Sequence, residues 1–532
     1  MNDPHQLGAA ALQAWASGDA ARAETLARQA LVRAPKEPNA RQVLGHACLR
    51  AGRAGDAVAH FRAADEAAPN NAQIINTLGS ALRRAGELDA ARQAYARAGA
   101  LGAADAWGNL GKLERAENRV GEAAAAFEKA LALKPSASAH ANLAQLHEMR
   151  HQLASARQHA EAALRFDAKS EIALLALGQV LLREGDWAGV ETLLTPMGRD
   201  GGASPVNRAI AIGMVGEALD RMGRFGEAFE AFAASNALLR HLHAAALNAR
   251  ESPFHPDTVR RLTQFLEREN VEAWRRPDRF EQASPVFLVG FPRSGTTLLD
   301  QILSSHSGIV CLEEKELVAP VAADLVSEEG LAAWAALPDA VIHERRRRYW
   351  ESATAALQTP LGGRVLVDKL PLNLVLTPAI ARLFPDAKII VALRDPRDAV
   401  LSAYQQRFGM NPAMAQILEL DSAARYYDAA MTLLERSEKL PLRFHRVRYE
   451  DVVADIGTAA RDLAAFLDLA FEPAMLEFSA TARRRDIATP SARQVVQPLY
   501  SRSVGRWRGY AANLAPVLPI LTPWAERFGY PV

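Results

Sequence analysis

The hydrophobic pattern of the chain changes near its middle. Residues 1 to about 235 are rich in alanine, and glycine and proline interrupt them at intervals. From about residue 284, short apolar runs alternate with stretches of helical character. The first pattern predicts helices throughout, and the second predicts buried strands separated by helices.

A repeat of close to 34 residues organises the first half. Glycines 45 and 79 are 34 positions apart, and in each unit an alanine follows the glycine after 12 residues and an aromatic residue after 16. These glycine–aromatic pairs are Gly45–Phe61, Gly79–Tyr95, Gly111–Phe127 and Gly216–Phe232. About seven such units fit between residues 1 and 235.

The spacing resembles the tetratricopeptide repeat, in which each unit is a pair of antiparallel helices. Glycine and alanine let the two helices approach, and we expect the aromatic to fill the gap to the next unit. The resemblance implies either a groove that binds a protein or peptide partner, or self-association into a homo-oligomer. A generic alanine-rich helical bundle is the alternative.

The second half is predicted to be an α/β domain. Apolar runs predict strands at 286–290, 365–367, 388–393 and 444–449, with helices at 297–305, 378–384 and 396–407. This alternation is typical of a parallel sheet covered by helices on both faces. The predicted domains are therefore a repeat array at 1–235, a helical linker at 236–283 and an α/β domain at 284–532.

Composition excludes several classes of protein. The 532 residues include 62 basic and 61 acidic side chains, a net charge of +1, whereas general nucleic-acid binders usually carry a basic excess. The two cysteines, Cys48 and Cys311, cannot build a disulfide framework, which fits a reducing compartment. Neither a signal peptide nor an apolar window of about 20 residues is recognisable, so we expect a cytoplasmic protein without a membrane partner.

Candidate chemistry begins with the loop after the first predicted strand. Gly290 and Gly295 have the spacing of a phosphate-binding loop between a strand and a helix, where backbone N–H groups cradle an anion. Thr296 occupies the position of the usual lysine, which argues against ordinary ATP chemistry, and Arg293 supplies a cation instead. A tight strand–helix turn without a ligand is the alternative.

A second cluster follows the strand predicted at 388–393. Arg394 lies at its carboxyl end, where open α/β sheets bind ligands, and Ser402 follows eight residues later. An arginine and a hydroxyl group could together hold a second phosphate. Taken alone, the Arg-Asp-Pro-Arg run is more typical of a capped helix start.

The two clusters together resemble the sulfotransferases, which use 3′-phosphoadenosine 5′-phosphosulfate as donor. A sulfuryl group carries less negative charge than a phosphoryl group, so we expect fixed cations to suffice without a metal. The resemblance covers about residues 284–510 and is strongest to tyrosylprotein sulfotransferases and bacterial tetratricopeptide-repeat sulfotransferases. It implies a sulfotransferase acting on a hydroxyl acceptor, which protein tyrosine could supply. The implied 5′-phosphosulfate loop comprises Arg293, Ser294, Gly295, Thr296 and Thr297, and the implied 3′-phosphate site comprises Arg394 and Ser402.

Further roles follow from the resemblance. Glu314, which lies 21 residues after Arg293, matches the family's catalytic base, and Lys369 matches the lysine near the bridging oxygen. Three residues match donor contacts: Tyr449, Ser491 and Arg506. The chain departs from the family pattern at three positions: Ala492 replaces a serine, Arg506 a lysine, and Glu316 an acceptor-contacting arginine.

Several alternatives stay open at this point. His306 is a rival base, with a structural capping role as the other reading. The basic runs 345–348 and 483–485 are interpreted as solvated faces, with an acidic acceptor dock or a donor contact as alternatives. The competing functions are a repeat scaffold with an inactive nucleotide-binding domain and a kinase with a variant phosphate-binding loop.

Overall fold

The computed structural model divides into two compact units, Met1–Ala203 and Ser204–Val532. The described residues are 3–269, 274, 277–278, 280–357, 359–479 and 503–532. The first unit is helical, and its consecutive helices pack in pairs. They are α1 (Pro4–Ala16), α2 (Ala20–Arg33), α3 (Pro38–Arg50), α4 (Ala54–Ala67), α5 (Ala72–Arg84), α6 (Leu88–Ala100), α7 (Ala104–Ala116), α8 (Val120–Leu133), α9 (Ala137–Met149), α10 (Leu153–Phe166), α11 (Glu171–Glu184) and α12 (Trp187–Arg199).

Glycine allows an aromatic ring to lie directly on the partner helix of each regular pair. A Cβ atom at Gly45, Gly79 or Gly111 would lie 2.7 Å from the ring that follows 16 residues later, closer than packed atoms approach. Phe61, one of these rings, also shares a buried cluster with Ile75 of the next pair. The prediction placed the ring only between units, but the ring also fills the space that the missing side chain leaves inside its own pair.

The second unit begins with another helical pair and continues into the α/β fold. Its helices are α13 (Pro205–Arg221), α14 (Phe225–Leu242), α15 (Ala244–Leu247), α16 (Pro256–Arg268), α17 (Thr296–Ser304), α18 (Glu328–Ala335), α19 (Asp339–Ala356), α20 (Thr377–Leu383), α21 (Pro396–Tyr404), α22 (Pro412–Ile417), α23 (Leu420–Ser437), α24 (Tyr449–Ala454), α25 (Ile456–Phe466), α26 (Ala511–Leu514) and α27 (Leu518–Arg527). Short 3-10 helices lie at Ala319–Val321, Ala323–Val326, Pro371–Leu376, Pro473–Glu477 and Arg506–Tyr510.

A five-stranded parallel sheet forms the centre of this unit. The strands are β1 (Val286–Gly290), β2 (Ile309–Glu313), β3 (Val365–Lys369), β4 (Lys388–Leu393) and β5 (Arg443–Arg448), in the order β2-β3-β1-β4-β5. The α/β architecture and the four predicted strands are confirmed. The fifth strand, β2, was missed because its five residues include a cysteine and end in a glutamate, which weakens the apolar signal.

The helical pair α13–α14 makes direct hydrogen bonds and packing contacts with the α/β fold. Asn236 of α14 donates to the backbone oxygen of Tyr404 over 2.9 Å, and Arg407 packs against Gly213 of α13 and donates to the carbonyl of Ile210. The domain boundaries predicted after residues 235 and 283 stay predictions. In the described part of the chain, no helix is long and apolar enough to cross a membrane.

The packing of α7 predicts opposite effects for two glycines on one helix. Gly111→Ala forces a methyl group to within 2.7 Å of the Phe127 ring, and we expect a loss of about 1–3 kcal/mol in the free energy of unfolding. At Gly108 a Cβ meets no atom within 4 Å. Gly108→Ala should therefore raise the free energy of unfolding by up to about 1 kcal/mol, because alanine has the higher helix propensity. Urea unfolding of both variants, followed by circular dichroism, checks this, and equal effects would contradict the packing account.

Candidate functional site

The ends of the strands bring the predicted site residues to one edge of the sheet. Arg293 follows β1, Glu314 follows β2, Lys369 ends β3, Arg394 follows β4 and Tyr449 follows β5. Because all five strands are parallel, their carboxyl ends meet at the same edge. Open α/β sheets bind ligands at this edge.

The loop after β1 contains two residues with positive φ, a backbone conformation that favours glycine. Arg293 has φ +70° and Gly295 has φ +96°, and Gly295 is the N-cap of α17. A Cβ at Gly295 would lie 2.8 Å from the ring of Tyr449, so the ring leaves room only for glycine. Ser294, Thr296 and Thr297 are buried at the start of α17. The loop therefore presents hydroxyl groups and a helix N-terminus together, a combination that suits an anion.

Arg293 and Arg394 join the two predicted motifs directly. The Nε atom of Arg293 donates to Oγ of Ser402 over 3.2 Å. Arg394 donates through Nη1 to the carbonyl oxygen of Arg293 over 3.0 Å and through Nη2 to that of Ser503 over 2.5 Å. Its guanidinium lies 5.2 Å from the ring centre of Tyr449. The predicted phosphosulfate loop and 3′-phosphate site thus form one contiguous cationic surface.

A buried lysine and two glutamates form the second part of the site. The Nζ atom of Lys369 lies 3.2 Å from Oε1 of Glu313 and 3.1 Å from Oε1 of Glu314. The lysine is fully buried, whereas the side chain of Glu314 is 34% exposed. Glu314 has φ +49°, and its N–H donates to the carbonyl oxygen of Lys369 over 2.7 Å. Backbone and side chain therefore both fix Glu314 beside the ammonium, with one face open to a ligand.

Beneath Lys369, the buried carboxyl of Asp368 anchors the end of β3. It accepts hydrogen bonds from the Tyr349 hydroxyl at 2.9 Å and from Nδ2 of Asn373 at 3.3 Å. Burial raises the pKa of Asp368 to about 7, although the bond from Tyr349 opposes that shift. This neutralisation limits the number of net charges buried at the strand end.

His306 has a structural environment. Its Nε2 lies 2.8 Å from the carbonyl oxygen of Ala470, and its Nδ1 accepts from the N–H of Gly308 over 2.9 Å. Nε2 therefore carries the proton, and both ring nitrogens are bound to backbone groups. This arrangement fits the capping role better than that of a base.

The start of α21 contains a carboxylate that sequence reasoning missed. Asp395 caps the helix by accepting from the N–H of Arg397 over 3.0 Å, as the Arg-Asp-Pro-Arg run suggests. Asp398, one position beyond that run, accepts from the N–H groups of Gly505 at 2.6 Å and Trp507 at 2.7 Å. Burial raises the pKa of Asp398 to about 6. It attaches the C-terminal segment to the helix that carries Ser402, a long-range contact that no local pattern signals.

The remaining predicted residues fall in three environments. Arg506 forms an ion pair with Asp220 of α13. Ser491 and the basic run 483–485 lie outside the described residues. In the run 345–348, the solvated-face reading is wrong for two members: Arg345 pairs with Asp324 at 2.7 Å, and Arg346 is buried and donates to the carbonyl of Leu383. No cluster of three metal-ligating His, Cys, Asp or Glu side chains occurs among the described residues.

Comparison with known proteins matches both halves of the chain. Residues 285–473 match the model of the sulfotransferase family, and residues 14–74, 76–138 and 110–171 match tetratricopeptide-repeat models. An uncharacterized protein of Aquifex aeolicus is 28% identical over 335 residues, 59% of this chain and 41% of its own length. Protein-tyrosine sulfotransferase 2 of Gallus gallus is 24% identical over 47% of this chain and 71% of its own. The chain thus spans less than half of the Aquifex relative.

Solved structures of repeat proteins also resemble the chain. The Pseudomonas aeruginosa pilF structure is 19% identical, covers 38% of this chain and 96% of its own, and superposes with a TM-score of 0.35. The repeat protein YrrB is 20% identical, with coverages of 34% and 91% and a TM-score of 0.29.

The environment of Asp368 predicts a pH-dependent stability. Between the pKa of an unfolded aspartate, near 4, and about 7, the native carboxyl keeps a proton that the unfolded chain has released. The free energy of unfolding should therefore fall as pH rises through this window, and Asp368→Asn should flatten the fall. Urea unfolding between about pH 4 and 8 measures this. The exposed Asp421→Asn is the control, and equal pH profiles for Asp368→Asn and wild type would contradict the assignment.

Proposed function

Because the chain joins tetratricopeptide repeats to a sulfotransferase-family domain, we propose that it transfers a sulfuryl group from 3′-phosphoadenosine 5′-phosphosulfate to a hydroxyl acceptor. The observation that carries the proposal is the contact between Arg293 and Ser402 at 3.2 Å, with Arg394 donating to the Arg293 carbonyl. One cationic surface adjoining an anion-binding loop suits a donor with phosphate groups at both ends of a nucleoside.

The side chains at the sheet edge fit such a donor. The loop from Arg293 to Thr297 would hold the 5′-phosphosulfate through backbone N–H and hydroxyl groups. Arg394 and Ser402 would hold the 3′-phosphate. The Nε atom of Arg394 is buried without a hydrogen-bond partner among the described residues, so this guanidinium retains a donor for an anion. Tyr449, Ser491 and Arg506 are further proposed donor contacts.

The second part of the site suits the transfer itself. Glu314 would accept the proton of the acceptor hydroxyl, since its partly exposed carboxylate is fixed by the adjacent backbone. Lys369 and Arg293 would stabilise the negative charge that develops on the oxygen leaving the sulfur. Glu313 and Glu314 keep the ammonium of Lys369 at the end of β3, and β3 pairs with β1, the strand that leads into the loop. Fixed cations supply the electrostatic stabilisation in this proposal.

The acceptor is proposed only as a hydroxyl-bearing molecule, and protein tyrosine is one such acceptor. The Gallus gallus relative is named for action on protein tyrosine, and the repeats offer a surface that could recruit a protein acceptor or a second copy of the chain. Glu316 replaces a family arginine, which disfavours an acidic peptide around the acceptor tyrosine. The cytoplasmic location stays part of the proposal.

The donor assignment predicts a strong preference for adenosine 3′,5′-bisphosphate over AMP. A charged hydrogen bond from Arg394 to the 3′-phosphate is worth about 1.5–3 kcal/mol, or roughly 10- to 150-fold in affinity. Arg394→Ala should remove most of the preference. The control Arg425→Ala, which breaks an exposed ion pair with Asp421, should keep it. Titration calorimetry with both nucleotides and ATP is decisive. Equal affinities would indicate an inactive scaffold, and preferential ATP binding a kinase.

The base assignment predicts a kinetic loss without a loss of donor binding. Glu314→Gln preserves shape but removes the proton acceptor, which is typically worth about 10²–10⁴-fold in rate. Its affinity for adenosine 3′,5′-bisphosphate should stay close to wild type. Single-turnover transfer of labelled sulfate to a phenol or a tyrosine peptide measures the chemical step.

Two matched variants complete the base experiment. Glu329→Gln changes an exposed acid in the first turn of α18, outside the loop that carries Glu314, and should retain the wild-type rate. His306→Ala should lower the free energy of unfolding, because it removes the bonds to Ala470 and Gly308. Its effect on the transfer rate of the folded enzyme should be smaller than that of Glu314→Gln. A well-folded but inactive His306→Ala beside an active Glu314→Gln would reverse the roles.

A further inference from the structure

The C-terminal segment 503–510 is held between two helices: one belongs to the α/β fold and the other to the last repeat-like pair. On one side lies α21, the helix of Ser402, where Asp398 accepts the N–H groups of Gly505 and Trp507. The guanidinium of Arg397, also on α21, lies 4.1 Å from the ring centre of Trp507. This side ties the segment to the proposed 3′-phosphate site.

The other side belongs to α13, the first helix of the last repeat-like pair. Asp220 of α13 is buried, with 6% of its side chain exposed, and its Oδ2 forms an ion pair with Arg506. Its Oδ1 accepts from the Tyr510 hydroxyl over 2.6 Å. One carboxylate therefore binds both ends of the short helix Arg506–Tyr510.

Aromatic packing reinforces this attachment. Phe225 of α14 lies 5.1 Å from the ring centre of the fully buried Tyr510. A Cβ at Gly509 would lie 2.8 Å from the Phe225 ring, so the segment approaches the pair as closely as glycine allows. Apolar contacts alone could hold the segment, yet the chain also places a charged pair there.

The ion pair between Asp220 and Arg506 fixes geometry more than it contributes stability. A buried ion pair loses hydration on folding and often contributes little net stability, but its geometry fixes the position of both partners. The Arg506 side chain is 24% exposed and that of Asp220 6%, so the pair is largely buried and only its guanidinium is partly accessible to solvent. The carboxylate thus fixes the direction of a partly exposed guanidinium.

We propose that Asp220 is a positioning residue of the donor site: it holds Arg506 and the segment 503–510 so that the repeat-like pair α13–α14 completes the binding surface for the donor nucleotide. This inference rests on the proposed function, because it takes the ligand of that surface to be adenosine 3′,5′-bisphosphate. It assigns to a helix upstream of the sulfotransferase-family match a part in donor binding.

The test is a double-mutant cycle on nucleotide affinity in the full chain. Asp220→Asn keeps an acceptor for Tyr510 but removes the charge, and we expect about tenfold weaker binding of adenosine 3′,5′-bisphosphate in calorimetry. Arg506→Gln should weaken binding to a similar extent, and the double variant should be no weaker than either. Additive losses, or a change under twofold in Asp220→Asn, would overturn the proposal.

Conservative and control variants separate positioning from folding. Asp220→Glu restores the charge and should recover most of the affinity, even if Asp220→Asn unfolds at the assay temperature. Tyr510→Phe removes the second bond to Asp220 and should lower the unfolding midpoint with less than a threefold effect on affinity. Glu227→Gln, which breaks the exposed pair with Arg224 on the same helical pair, should change neither.

The same titrations distinguish failure of this inference from failure of the proposed function. If wild type fails to prefer adenosine 3′,5′-bisphosphate over AMP, the donor assignment itself is wrong. If wild type shows the preference but Asp220→Glu fails to recover affinity that Asp220→Asn loses, the positioning role alone is wrong.

Discussion

The parallel register of the sheet is the constraint on which the site depends. β1 lies between β3 and β4, with Leu288 opposite Lys369 on one side and Ile390 on the other. This arrangement brings the loop after β1 next to both the buried lysine and the segment of Arg394. The Arg293–Ser402 hydrogen bond joins residues 109 positions apart, which the parallel pairing of β1 and β4 brings to the same edge of the sheet.

The site concentrates buried charge and pairs much of it locally. Lys369 has two carboxylates, Arg397 has Asp395, and Asp368 is held in its protonated form by burial over much of the acidic pH range. Burying an ion without a partner costs several kcal/mol, so each pairing is a condition for folding as well as for binding. These pairs consequently link the loops and strand ends of the candidate site to one another.

Local sequence patterns account for the architecture but not for its long-range contacts. The glycine–aromatic spacing predicts the helical pairs, and Gly290, Arg293 and Gly295 predict the loop, because each depends on residues close in the chain. β2 was missed since its short run ends in the acid that precedes Glu314. Asp398 and Asp220 carried no signal, because their partners lie more than 100 residues away and meet them only in the folded chain.

Each unit of a repeat array contacts only its neighbours, so a whole unit can be added or removed without rebuilding the others. The division after Ala203 gives the seven helical pairs within the described residues unequal freedom in such a change. The six upstream pairs can be duplicated or deleted without cutting into the α/β unit. The seventh is bound to that unit through Asn236, Asp220 and Phe225. We therefore expect homologous chains to differ in length upstream of residue 204, with the last pair inherited together with the α/β fold.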